Sequence, residues 1–205
     1  MRDILFLAII ALTMIISACS SATIALMSGD LVFCRTAPSP MSNAIVNATA
    51  YDNVNYDHVG IVALLNDSIY VIESTPRHGV VVTAWDKFLK DNNNGIIVMR
   101  LKTPFDTTDV VKRALSFVGQ PYDWSFRHDN DALYCSELVY ESYRDNDNNH
   151  IFSPIAMNFY NSDGTISEFW TTLFEQRCES IPQGMPGTNP NDLARSPQLY
   201  TIAYY

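Results

Sequence analysis

Cys135 lies in DNDALYCSELVYESYR, residues 129–144, between a tyrosine and a serine. Leu138, Val139 and Tyr143 follow at helical spacing, with Glu137, Glu141 and Arg144 between them. The spacing predicts a helix that starts at the cysteine. A thiol in a first helical turn faces unpaired backbone N–H groups and the positive end of the helix dipole, both of which favour a thiolate. That is the setting of a nucleophile. A nucleophilic thiol needs a base, most often a histidine oriented by a third polar group.

Four histidines are available. His128 and His150 sit in polar loops beside acidic residues and are expected to be solvated. His78, in PRHG, reads as part of a turn between strands. His58 differs, because it opens the apolar run HVGIVALL directly after Asp57. On a strand, Val59, Ile61 and Ala63 share one face, and His58, Gly60 and Val62 share the other. Gly60 is expected to leave space beside the imidazole. The next β-rich run, DSIYVIEST, carries Glu73. A hairpin turning near Asn66–Ser68 pairs residues whose numbers sum to about 133. His58 then faces roughly Thr75, one same-face step from Glu73. A carboxylate there can accept the imidazole N–H and hold its tautomer. Such a pair is also a common structural feature of hairpins, and only Cys135 gives it a chemical reading.

The surrounding elements must bring these groups together. GDLVFCR, residues 29–35, reads as a first strand, and residues 37–51 as a loop leading into a modest helix. The hairpin follows. Residues 78–89 give a strand and a short helix, with Thr83 as its cap, and IIVMRLK a further strand. TTDVVKRALSFVG is an amphipathic helix ended by Gly119. QPYDW is a turn ahead of the Cys135 helix. DNDNNH, residues 145–150, lacks the glycine and terminal glutamate of a calcium-binding EF-hand and reads as a solvated turn. Residues 167–178 form a short helix, and residues 199–204 a last strand. This order argues for an α+β fold with a mostly antiparallel sheet packed against helices.

Lys plus Arg total 13 against 22 Asp plus Glu, for a net charge of -9. No basic run occurs, which argues against a nucleic-acid partner. ILFLAIIALTMII, residues 4–16, has the length of a signal-peptide core. SACSS follows it and resembles a bacterial lipobox. The expected organisation is a signal peptide over residues 1–18, a lipid-bearing Cys19, a linker to residue 27 and one domain over 28–205. A membrane of the cell envelope is the expected location. Cys34 and Cys178 remain; an exported compartment permits a disulfide between them, but no spacing argues for one. No Cys/His grouping has metal-site spacing, and no metal or other cofactor is expected.

GDLVF, DHVGIV, VIEST, GVVVTAWDKFL, GQPYDW and YCSELVYESY occur in this order. Together they resemble the YiiX/YebB-type branch of the NlpC/P60 cysteine peptidase superfamily, a circularly permuted, papain-like group related to lecithin:retinol acyltransferases. In ordinary members the histidine strand follows the cysteine helix; here it precedes it, as permutation requires. The resemblance implies Cys135 as nucleophile, His58 as base, Glu73 as orienting acid and Tyr122 as an oxyanion donor beside the Cys135 backbone N–H. Tyr134 and Asp123 are expected near the substrate. It further implies an amidase acting on cell-wall fragments or other peptides. A lipid ester or amide hydrolase or acyltransferase is the alternative, and a non-catalytic binding domain a third.

Overall fold

The computed structural model describes residues 25–92, 94–103 and 106–205. Among these residues, eight strands and six helices follow one another as β1 (Leu31–Arg35), α1 (Pro40–Thr49), β2 (His58–Leu65), β3 (Ser68–Thr75), β4 (Gly79–Ala84), α2 (Trp85–Asp91), β5 (Asn94–Leu101), α3 (Thr107–Ser116), α4 (Cys135–Ser142), β6 (Ile155–Ala156), α5 (Glu168–Arg177), β7 (Pro186–Gly187), α6 (Pro190–Ala194) and β8 (Leu199–Tyr204). Six strands form one sheet in the order β4-β3-β2-β1-β5-β8. Every neighbouring pair is antiparallel, and β6 and β7 form a separate small ribbon. This is the α+β arrangement expected from the element order.

Alternation along the strands sorts the sheet into two apolar faces. Leu31, Phe33, Ile61 and Ile72 face α3 and α4, where they meet Val110, Ala114, Leu138 and Val139. Val32, Val62, Val71 and Val98 face the other way, against Trp85 and Phe88 of α2. A third cluster stands apart from the sheet. Ala44 of α1 packs there with Phe126, Phe159, and Trp170 and Phe174 of α5.

The β2–β3 turn fixes the register on which the site depends. Asn66 and Asp67 both take positive φ, 49° and 60°, as a two-residue type I′ hairpin turn requires. Leu65 pairs with Ser68 and Ile61 with Ile72, so the expected register holds.

Two details differ from the sequence reading. Leu26 is buried in the second face, and the Arg100 guanidinium donates to the Ala25 carbonyl. The ordered chain therefore reaches back into the stretch expected to be linker. Gly60 does not leave open space: a Cβ there would lie 2.4 Å from Val71 Cγ1, so the neighbouring strand already fills that room.

Candidate active site

His58 begins β2, and the chain is held immediately ahead of it. Asp57 accepts Thr36 N–H at 2.8 Å and the Thr36 hydroxyl at 2.9 Å. Tyr56 N–H donates to Asn191 Oδ1 at 2.6 Å. In β3, consecutive residues serve opposite faces. Glu73 Oε2 takes His58 Nε2 at 2.6 Å, and the Ser74 hydroxyl donates to the Leu133 carbonyl at 2.5 Å. The strand that holds the histidine's partner thus also anchors the segment leading into Cys135. Leu133 N–H in turn donates to Pro121 O at 3.1 Å, which ties that segment to the Tyr122 loop.

The Tyr122 loop is fixed by a close approach. Val80 N–H donates to Gln120 O, and Gly119 N–H to Val80 O, both at 2.9 Å. Gly79 lies against this contact with φ +64°, and a Cβ there would fall 2.0 Å from Gln120 O. Only glycine fits such a position.

Cys135 is the first residue of α4, as its spacing predicted. Its thiol and the His58 ring line the same hollow. With Nε2 taken by Glu73, Nδ1 is the nitrogen left for sulfur. Burial alone would lower the His58 pKa, but the neighbouring Cys135 and the hydrogen-bonded Glu73 raise it to about 10. Burial would likewise raise the Glu73 carboxyl. The His58 hydrogen bond and charge, followed by the Thr83 hydroxyl, hold it below its ordinary value instead. Thr83, expected to cap a helix, donates to Glu73 Oε1 at 2.5 Å, and α2 starts two residues later without a side-chain cap. Tyr122 is buried. Burial, then the nearby Cys135, pushes its hydroxyl well above the usual phenol range, so it remains a donor.

Two hollows meet at Cys135, sharing Ile45, Tyr122 and Cys135 as walls. One, of about 770 Å³, is polar and includes Asp57, His58, Glu73, Asp91 and Asn92. The other, of about 470 Å³, is an apolar chamber with Phe126, Tyr134, Met157, Phe159 and Trp170 among its walls. Among the described residues, no Lys, Arg, Asp or Glu lines it.

Tyr134 is thus at the site. Its hydroxyl accepts Thr188 N–H at 3.2 Å. Asp123 is not beside either hollow: its oxygens accept Ser125 N–H and Arg127 N–H, each at 2.7 Å, so its carboxylate shapes the loop. His128 is exposed, as expected, and His150 half-buried, but both rings have protein partners. His128 Nδ1 lies 2.8 Å from Glu137 Oε1, and the His150 ring stacks on Tyr140 at 3.7 Å. Glu137 is buried. Burial raises its carboxyl to about 7 against the opposing His128 hydrogen bond. Its Oε2 accepts Tyr134 N–H at 3.4 Å, half of a capping box. A Glu at the third position of the helix was the available signal.

Cys34 is buried and unbonded, and Cys178 exposed and unbonded. Burial, then Asp57 and Glu73, raises the Cys34 thiol. Cys19 lies outside the described residues. Among those residues, no group of three or more His, Cys, Asp or Glu side chains is placed to hold a metal ion, and no helix is long and apolar enough to cross a membrane.

Known proteins resemble this chain in sequence and fold. The uncharacterized protein YiiX of Escherichia coli (strain K12) is 27% identical over 180 residues, which cover 86% of this chain and 85% of that one. The crystal structure of the metalloprotein YiiX from Escherichia coli O157:H7 superposes with a TM-score of 0.72 at 25% identity, covering 87% of this chain and 97% of that chain. Residues 25–203 match the family described as permuted papain-like amidase enzyme, YaeF/YiiX, C92 family. The histidine-first order of the site is the permuted order, and the chain belongs to this permuted papain-like amidase family as a cysteine peptidase or amidase.

Proposed function

We propose that Cys135 hydrolyses an amide whose acyl side is apolar, and that its substrates are peptides or cell-wall fragments of the bacterial envelope. The observation that carries this reading is the meeting of a Cys135–His58–Glu73 group with an apolar chamber on the far side of the sulfur.

His58 holds the thiol proton as an imidazolium, stabilised by Glu73. The Cys135 thiolate attacks the amide carbonyl, and the carbonyl electron pair moves onto oxygen. The Tyr122 hydroxyl and the Cys135 backbone N–H donate to that oxygen. Collapse forms a thioester and breaks the C–N bond, while the imidazolium gives its proton to the leaving amine. Neutral His58 then takes a proton from water as the water attacks the thioester. The thiolate departs from the tetrahedral intermediate, the carboxylic acid leaves and gives its remaining proton to solvent, and the thiolate–imidazolium pair is restored.

A hydrolase acting on lipid esters or amides uses the same steps, and the absence of charged walls in the chamber favours it as a second reading. Turnover of amides with apolar or charged acyl-side groups, beside acyl esters, separates the two. Loss of activity in Cys135→Ser is expected for either. Turnover that survives this substitution, or that prefers charged acyl groups, sinks the proposal.

We place the protein on a membrane of the envelope, with residues 1–18 removed and Cys19 lipid-bearing. The apolar run at residues 4–16 and the small residues before Cys19 support this. Mass spectrometry of the membrane fraction should find lipid on an N-terminal Cys19; an unmodified Cys19 in a soluble product refutes it.

A further inference from the structure

The apolar chamber is not uniformly apolar. Three of its residues carry a buried side-chain polar atom that meets no protein partner: Ser136 Oγ, Trp170 Nε1 and Thr188 Oγ1. These residues are 0%, 3% and 6% exposed. They come from three separate parts of the chain: the second residue of α4, the body of α5, and the residue after β7.

Nearby polar groups are satisfied. The Tyr134 hydroxyl holds Thr188 N–H. Asn189 caps α6 through Asp192 N–H at 2.9 Å and donates to the Asp192 carboxylate at 2.6 Å. Asn158 donates to Ala48 O and Tyr160 O at 2.7 and 2.8 Å. The Thr49 hydroxyl donates to Ile45 O and accepts from Asn191, each at 2.7 Å. Buried polar groups in folded proteins are generally partnered; of the eight such open atoms among the described residues, three line this one hollow, and together they ask for a partner from outside.

An indole N–H only donates, so Trp170 requires an acceptor; a hydroxyl both donates and accepts, so Thr188 and Ser136 suit a group that does either. No cation lines the chamber to balance a carboxylate or phosphate, and an unpaired charge would be costly there. We propose that the chamber selects a neutral, oxygen-bearing apolar group, a hydroxyl for preference, with its oxygen accepting from Trp170 Nε1–H. This deepens the amidase reading and rests on it for the statement that the group belongs to the acyl side. Plain hydrocarbon fills the same walls and leaves the indole unmet.

Phenol and toluene, nearly equal in shape, isolate the oxygen. Their binding to the full chain is measured by calorimetry or ligand-observed NMR, in wild type, Trp170→Phe and Thr188→Val. Trp170→Phe should weaken phenol by about ten-fold more than toluene, the loss of roughly one hydrogen bond. Thr188→Val, which keeps the side-chain shape, should weaken phenol two- to five-fold, roughly, and spare toluene. Equal loss for both probes in both variants, or no phenol binding by wild type, overturns the proposal. Cys135-dependent hydrolysis of acyl anilides is scored separately. If it is absent while phenol discrimination stands, the amidase reading fails and the chamber's preference survives. If hydrolysis is present without discrimination, only the preference fails.

Discussion

The two sides of Cys135 are made differently. The polar side comes from neighbouring strands: His58 and Glu73 lie in one hairpin, and Thr83 follows on the next strand. Its carboxylates are engaged, Asp57 by Thr36 and Glu73 by His58 and Thr83. The apolar side is assembled from α1, α4, α5 and connecting segments, and three of its polar atoms remain open, against one, Ser42 Oγ, in the polar hollow. A group that must hold a proton at a fixed atom is built rigid and complete. A group that must accept part of a substrate is left with unspent contacts. The first half sets the chemistry, and the second sets which molecule undergoes it.

The largest expected effect separates the halves. Cys135→Ser should lower hydrolysis by roughly 10³ or more, since a hydroxyl is a far poorer nucleophile in the same geometry. Probe binding in the chamber should stay within about two-fold. Steady-state turnover beside calorimetry checks this, and a parallel fall in both would show that the halves are not separable.

Glu73→Gln probes the polar half alone. It should lower kcat roughly ten- to a hundred-fold, less than the 10²–10⁴ ascribed to a lost acid–base group. It should also move a pH limb. His58 loses its proton near pH 10, so activity that needs the imidazolium falls as pH rises through that value. Without the carboxylate the limb should drop by about one unit or more. An unmoved limb in the pH–rate profile would remove Glu73 from the pair.

The same group links the polar half to stability. Its folded pKa of about 10 lies above the ordinary 6.5, so the folded state binds the proton more tightly. That stabilisation is fully present below about pH 6.5 and is lost as pH rises through about 10. Denaturant midpoints across pH 6 to 10 should fall in wild type and fall less in His58→Ala; equal slopes would argue that the pair contributes nothing.

Ala48→Phe should act on the chamber alone. A phenyl ring in its wall should raise KM for bulky acyl groups by about ten-fold, the scale of a few methylenes in an apolar pocket, with kcat for a short acyl group little changed. A fall in kcat for every substrate would mean the chamber also positions the reacting carbon.

The polar half was legible because strand geometry is local. Once Asn66–Asp67 is a two-residue turn, the position of Glu73 relative to His58 follows. Cys135 was legible because helix spacing starts at it. Thr83 was misread because a hydroxyl before a helix suits a cap as well as a cross-strand donor, and only the β3–β4 register decides between them. His128 is exposed as read, but its partner Glu137 was hidden, because it is reached only after Asp123 folds the intervening loop. The chamber had no sequence signature at all. Ala48, Phe126, Met157, Phe159 and Trp170 come from segments without shared periodicity, and nothing in their spacing says that they surround one space.

The permuted order of the site has a consequence for how it comes into being. The His58–Glu73 bond closes a loop of only 15 positions, whereas the Ser74–Leu133 bond that seats the cysteine segment spans 59. Short closures cost less entropy and form sooner. The proton-holding pair should therefore exist while Cys135 is still an ordinary, slow thiol. Reactivity would then appear late and abruptly, when α4 docks, so a half-assembled chain carries no activated sulfur to be oxidised or trapped. Pulsed alkylation during refolding, read beside amide protection in β2 and β3, tests the order; fast labelling of Cys135 before those strands are protected would reverse it.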